Sequence, residues 1–164
     1  MTTPRTAVYA GSFDPLTNGH VDVVERGRRI FDKLIIAVAR NISKKPLFDT
    51  QERIEIIEAQ FADDPGVTVE TFDGLLVEFA KQRGCCAILR GLRGVSDFEY
   101  ELRMANMNRK LNEDIETVFL MTEGSYFYVS SRLVKEVASL GGDVTGLVPD
   151  HVIDKLNQKY HADR

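Results

Sequence analysis

The chain has 164 residues, 43% of them hydrophobic and 28% charged, with a formal net charge of −4. That length and composition suit one soluble globular domain, and the mild negative charge gives no broad basic field for a polyanion, which argues against nucleic acid as the main partner. No apolar run approaches a membrane span and Met1–Arg5 lacks the apolar core of a secretion signal, so the expectation is a cytoplasmic protein not bound to a membrane.

The first strand candidate is Thr6–Ala10. It runs into Gly11-Ser12-Phe13-Asp14-Pro15-Leu16-Thr17-Asn18-Gly19-His20, a loop that enters a helix with Thr17 or Asn18 as its cap. Thr17 and His20 are three apart, so they share a face of the first turn, where free N–H groups and the positive dipole end favour phosphate. Val24, Gly27 and Phe31, flanked by Val23 and Ile30, form the inward stripe. Leu34–Ala39 is continuously apolar, as expected of a parallel strand covered on both faces, and Arg40–Pro46 is a polar loop.

Asp49 and Glu52 make a capping box for a second helix with Ile54, Ile57 and Phe61 inward. Asp63-Asp64-Pro65-Gly66 stops it, and Val67–Phe72 is the third strand. A third helix is expected from Gly74 to Arg83, capped by Asp73, with Leu76, Phe79 and Ala80 inside and Gly84 at its end. The adjacent Cys85 and Cys86 suit small buried fillers, and neither they nor His20, His151 and His161 stand at zinc-site spacing.

Cys86–Leu89 is the fourth strand, running into Arg90-Gly91-Leu92-Arg93-Gly94. Ser96 with Glu99 is a second capping box, opening a long helix to Leu111 with Phe98, Leu102 and Ala105 toward the core. Thr117–Met121 is the fifth strand; the aromatic stretch Tyr126, Phe127 and Tyr128 then leads to Ser130 and Ser131, caps of a helix with Leu133, Val134, Val137 and Ala138 inward. Gly141-Gly142 closes it, Pro149 and Asp150 start a last helix through Val152, Ile153, Leu156 and Tyr160, and residues 158–164 are expected to fray.

This alternation predicts a single α/β domain over residues 1–164, a Rossmann-like, doubly wound, five-stranded parallel sheet with helices on both faces. Right-handed crossovers then bring Ser12 to His20, Lys44, Arg90 to Arg93 and Ser130-Ser131 to one rim. The chain lacks a GxGxxG fingerprint, a P-loop and a nucleophile elbow. It offers phosphate handles instead: His20, Lys44, Arg90, Arg93, Lys135 and two helix N-termini. These suit a reaction in which one phosphate attacks another, where alignment and charge neutralisation matter more than a general base. Mg²⁺ is expected to arrive on the triphosphate, held largely by nucleotide and water.

The strand, the Ser-Phe-Asp-Pro loop and Thr17-Asn18-Gly19-His20 together resemble the nucleotidyltransferase superfamily marked by (Thr/His)-x-Gly-His. Lys44-Lys45-Pro46 and the stretch from Arg90 to Glu101 narrow the resemblance to the phosphopantetheine adenylyltransferase family, over most of the chain. The resemblance implies transfer of AMP from ATP to 4′-phosphopantetheine, giving dephospho-coenzyme A and pyrophosphate, in a homohexamer subject to feedback by coenzyme A. It implies catalytic roles for Ser12, His20, Lys44 and Arg93. Acceptor binding would fall to Ser12, Lys44, Leu75, Leu76 and Arg90. ATP would be held by Ser12, Phe13, His20, Arg90, Gly91, Leu92, Arg93, Glu101 and the segment Tyr126, Phe127, Tyr128, Val129, Ser130, Ser131, Arg132. Ser12 stands where many members carry Thr, and Arg132 where a third small hydroxyl residue is common.

Plainer readings stand beside these. Ser130 and Ser131 serve as caps in any case, Arg90 and Arg93 can pair with Asp97 or Glu101, and Phe98, Met104 and Met107 suit packing or subunit contact. A related transferase using another phosphorylated acceptor, or a non-catalytic nucleotide-binding module, are the alternative functions.

Overall fold

The computed structural model describes residues 3–40 and 45–161. Its elements are β1 (Thr6–Gly11), α1 (Asn18–Arg28), β2 (Lys33–Ala39), α2 (Thr50–Gln60), β3 (Val67–Phe72), α3 (Leu76–Gln82), β4 (Ala87–Leu92), α4 (Val95–Leu111), β5 (Glu116–Met121), a 3₁₀ turn (Gly124–Tyr126), α5 (Ser131–Ser139) and α6 (Asp150–His161). The strands form one parallel sheet in the order β3-β2-β1-β4-β5. The predicted doubly wound architecture is the one observed.

Side chains alternate across a strand, so each strand feeds two cores. From β1, Ala7 and Tyr9 join Leu34, Ile36 and Leu89 beneath Val24, Ile57, Val134 and Leu156 of the helices on one face. Val8 and Ala10 join Ile35, Ala37 and Ile88 against Val77, Phe79 and Ala80 of α3 on the other. β1 and β4 are neighbours, and the chain continues from β1 outward to β2 but from β4 outward to β5, so the crevice of a doubly wound fold opens between their carboxyl ends.

Local expectations fail in places, each for a tertiary reason. α1 stops at Arg28, which leaves Ile30 exposed while Phe31 is buried. The buried face of α2 carries Arg53, Ile56 and Ile57, with Ile54 only packed at its margin. α3 begins two residues after Gly74 with Leu75 as an N-cap that makes no side-chain bond; Asp73 pairs with Arg40 instead. β4 continues through Leu92, because pairing with β5 extends to Leu92 and Met121, so Arg90 and Gly91 belong to the strand and do not follow it. Cys85 is buried but Cys86 is exposed, and Leu133 lies on the open side of α5. Residues 158–161, expected to fray, complete α6: Lys159 pairs with Glu52 at 2.7 Å and Tyr160 packs against the core.

α4 departs most. It starts at Val95 from Gly94, with no side-chain cap, and the Ser96–Glu99 box does not form its end. Phe98 and Leu102, expected inward, are exposed, together with Val95, Tyr100, Met104, Met107 and Leu111; only Glu101 is buried. The inward face of this helix is set by a charged residue.

Candidate active site

The loop after β1 builds one wall of the site. Thr17 is the N-cap of α1 and its hydroxyl accepts from the His20 N–H at 3.3 Å; in return the Thr17 N–H donates to His20 Nδ1 at 3.0 Å. This is a capping box with an imidazole where Glu or Gln usually stands. An Nδ1 that accepts leaves the proton on Nε2. Phe13, buried in the left-handed region at φ 47, meets the His20 ring edge-on at 5.0 Å, and Tyr9 lies 6.3 Å from it. Burial, with the cations Arg93 and Arg90 adding to it, pushes His20 down to about 4. The ring is a neutral N–H donor at physiological pH.

β4 and α4 build the opposite wall. Arg90 extends from β4 into a fork with Glu101, 2.9 Å from Nε and 2.6 Å from Nη2, and its Nη1 donates to the Ala10 carbonyl at 2.8 Å. Glu101 is therefore buried as the holder of Arg90. Arg93 is held by Asp97 at 3.1 Å and by the Val129 carbonyl at 3.1 Å. Both pairings considered from the sequence form, and they fix the two guanidinium groups at the rim. Gly91 is needed for contact: a Cβ there would meet Val23 of α1 at 2.9 Å. On α5, Ser130 accepts from the Leu133 N–H, and Ser131 Oγ donates to the Pro15 carbonyl at 2.7 Å, joining this helix end to the first loop.

Two cavities result. A polar one of about 330 Å³ is lined by Ser12, Phe13, His20, Arg90, Gly91, Arg93, Glu101, Tyr126, Val129, Ser130 and Ser131. Tyr9, Thr17, Asp97 and Thr122 line it too; none of them is assigned to a substrate from the sequence, where Thr17 is marked by the face it shares with His20 and Asp97 by its spacing from Arg93. A second cavity of about 360 Å³ adjoins it, with Leu75, Leu76, Phe72, Met104 and Asn108 along its length. Ser12, Arg90 and Glu101 line both.

Some expected residues lie elsewhere. Leu92 is buried in the fold, and Phe127 and Tyr128 are exposed and outside the polar lining. Arg132 and Lys135 line a separate open cleft with Lys45–Leu47 and Tyr160. Lys135 is also committed: its ammonium lies 2.7 Å from Asp14, whose carboxylate accepts from the Leu47 and Phe48 N–H groups. It is not a free phosphate handle. Lys44 lies outside the described residues. Among the described residues, no cluster of His, Cys, Asp and Glu could hold a metal ion, and no helix is long and apolar enough to cross a membrane.

The chain is 56% identical over 156 residues to the phosphopantetheine adenylyltransferase of Nitratidesulfovibrio vulgaris strain DP4, covering 95% of this chain and 84% of that one. The chain belongs to the phosphopantetheine adenylyltransferase family. Members from Anaeromyxobacter sp. strain K, 54% identical over 94% of each chain, and Caldanaerobacter subterraneus subsp. tengcongensis, 54% identical over 95% of this chain and 98% of the other, agree. The broader cytidylyltransferase-like family matches residues 8–137. Solved structures show how far the fold alone extends. A Vibrio parahaemolyticus protein described as a candidate nicotinate-nucleotide adenylyltransferase superposes with a TM-score of 0.70 at 14% identity, over 99% of this chain and 98% of its own. A lipopolysaccharide core biosynthesis protein from Thermoplasma volcanium gives 0.57 at 21% identity, over 74% of this chain and 99% of its own. In this member of the adenylyltransferase family, the paired cavities lie at the carboxyl rim of the sheet, between the first loop and α4.

Proposed function

We infer that this chain transfers AMP from ATP to 4′-phosphopantetheine, releasing pyrophosphate and dephospho-coenzyme A in coenzyme A biosynthesis. The observation that carries this reading is the junction of a polar, cation-lined cavity and a more apolar one of similar volume at Ser12 and Arg90. A nucleotide suits the first, and a phosphate bearing a slender, mostly uncharged arm suits the second. Family membership supports the same pair of substrates.

In this reading the pantetheine arm lies along Leu75 and Leu76, and Ser12 and Arg90 orient its phosphate toward the α-phosphorus of ATP. An acceptor oxygen forms the new bond to that phosphorus as the bond to the bridging oxygen breaks, and pyrophosphate leaves with the electron pair. The acceptor is largely dianionic near neutral pH, its second pKa being about 6, so no side chain need remove a proton. His20 then serves through Nε2–H, donating to oxygen as charge accumulates, and its neutrality spares the site a third cation beside Arg90 and Arg93. Arg93 and the α5 N-terminus at Ser130 and Ser131 are suited to the departing phosphates. Lys44, which follows β2 in the sequence, is assigned to bridge the two phosphates.

Glu101 and Asp97 are taken up by Arg90 and Arg93, so they make a poor metal cage. Magnesium in this reading is part of the MgATP substrate and comes and goes with it. Coenzyme A carries the same pantetheine arm as the acceptor, which supports competition at the apolar cavity as the form of feedback. The uncovered apolar face of α4 supports assembly of copies, assigned here to a homohexamer, and the biosynthetic role to the cytoplasm.

The test is pyrophosphate release from MgATP with 4′-phosphopantetheine, beside nicotinate mononucleotide, glycerol 3-phosphate with CTP, and no acceptor. Release with phosphopantetheine alone, with dephospho-coenzyme A as product, is expected. Release only with another acceptor overturns the substrate, and silence in every arm with ATP still bound overturns the enzyme.

A further inference from the structure

Arg53 lines neither cavity, yet it is the largest fully buried side chain of the fold, 1% exposed on α2. Its charge lies near Asp14 and Asp49, while its fork of donors turns to three main-chain carbonyls and a hydroxyl. Nη1 donates to the Ser12 carbonyl at 2.8 Å and to the Ala39 carbonyl at 3.0 Å, Nε to the Asp49 carbonyl at 3.2 Å, and Nη2 to the Thr50 hydroxyl at 3.1 Å. A buried guanidinium is a costly filler where an aliphatic side chain would pack. What it provides that no aliphatic can is a rigid set of donors with fixed angles. Here that set joins the main chain leaving β1 to the last residue of β2.

The two joined carbonyls belong to residues at the rim. Ser12 lines both cavities and Ala39 lines the apolar one, so their separation sets the width of the rim between the strands. Asp14, two residues beyond Ser12, grips the Leu47 and Phe48 N–H groups from the same first loop. α2 therefore reaches the site through main-chain bonds, with Arg53 at the near end of that connection.

We propose that Arg53 is a positioning residue of the reaction, holding the Ser12 backbone against the end of β2 so that the acceptor phosphate is presented in line. The proposal rests on the adenylyl-transfer reading and acts through Ser12. Displacing a reacting group by a fraction of an ångström lowers turnover without removing any group that binds ATP. Lysine keeps the charge but cannot serve both carbonyls, Asp49 and Thr50 with one planar fork.

The experiment compares wild type, R53K, T50V, S12A and the S12A/R53K and S12A/T50V pairs in the pyrophosphate assay, with ATP affinity by titration and melting temperature measured alongside. R53K is expected to lower kcat at least ~30-fold with the Kd for ATP within ~2-fold of wild type, and to cost no more than ~3-fold further in the S12A background, because a residue acting through Ser12 has little left to disturb. T50V removes one of the four bonds and leaves the charge and both strand ends; it is expected to fold and to lower kcat ~3- to 10-fold with the same loss of effect on S12A. It carries the test if R53K does not fold. Equal fold-losses with and without the Ser12 hydroxyl overturn the proposal, as does wild-type turnover in the folded variants or a loss that appears only in ATP affinity. A wild-type chain silent with phosphopantetheine overturns the adenylyl-transfer reading and this inference with it; an active wild type matched by R53K and T50V overturns this inference alone.

Discussion

Replacing His20 by alanine separates two jobs that one ring performs. Nδ1 accepts the Thr17 N–H at 3.0 Å and closes the capping box of α1, while Nε2–H is left for the polar cavity. Loss of the box is worth about 1 kcal/mol of stability, a typical capping contribution. Loss of a donor aimed at developing charge is worth about 100- to 1,000-fold in kcat, or roughly 3–4 kcal/mol of transition-state stabilisation. The kinetic effect therefore exceeds what partial unfolding could cause in a chain that still melts well above assay temperature. His20→Asn isolates the two: its side-chain oxygen can take the Thr17 N–H, but its shorter amide does not extend to the position of Nε2. It is expected to recover the melting temperature of wild type and not its kcat. The folded ring is depressed to about 4, so it stays neutral where an unfolded imidazole, near 6.5, takes a proton. Stability from this group is thus fully present above about pH 6.5 and declines as pH falls toward about 4, so wild type loses more stability than His20→Asn over that window. Steady-state pyrophosphate release, thermal melts at two pH values and a ring titration by NMR make the test. A kcat within about 5-fold of wild type, far below the loss of one donor, refutes the role, and a ring midpoint at or above about 6.5 refutes the caged, neutral assignment.

Other consequences are measurable. Glu101→Ala leaves Arg90 without its fork partner in a mostly buried setting, and is expected to cost about 3 kcal/mol in urea unfolding, with Glu101→Gln costing less because its oxygen still accepts; equal stability of all three proteins contradicts the assignment of Glu101 as the holder of Arg90. Leu75→Ala, at an exposed residue on the apolar cavity, is expected to raise KM for phosphopantetheine about 5- to 10-fold while KM for ATP holds, from roughly 1 kcal/mol of lost burial in the complex; a change in ATP alone contradicts the assignment of the two cavities. Gly27→Ala places a Cβ 2.6 Å from Leu89, so a loss of about 1–3 kcal/mol is expected by calorimetry, and a neutral result means that β4 shifts more easily than its packing implies.

The sequence by itself determined the sheet. Apolar runs such as Leu34–Ala39, with capped helices between them, leave only parallel strands covered on both sides, and right-handed crossovers then put Ser12–His20, Arg90–Arg93 and Ser130-Ser131 on one rim. Capping is local chemistry, so Thr17, Asp49 and Ser130 were legible as caps before any contact was known. Tertiary structure decided what distance in sequence conceals. Nothing in the sequence singles out Arg53; it becomes a core residue where the carbonyls of Ser12 and Ala39 converge on it. Lys135 reads as a free cation until Asp14, 121 residues away, takes its charge. α4 reads as a core helix by its apolar residues, yet its one buried residue is Glu101, because the fork with Arg90 turns that face inward and leaves Phe98 and Leu102 outside. Periodicity reports which residues avoid water, whereas a buried ion pair between distant segments decides which side of a helix the protein keeps for itself.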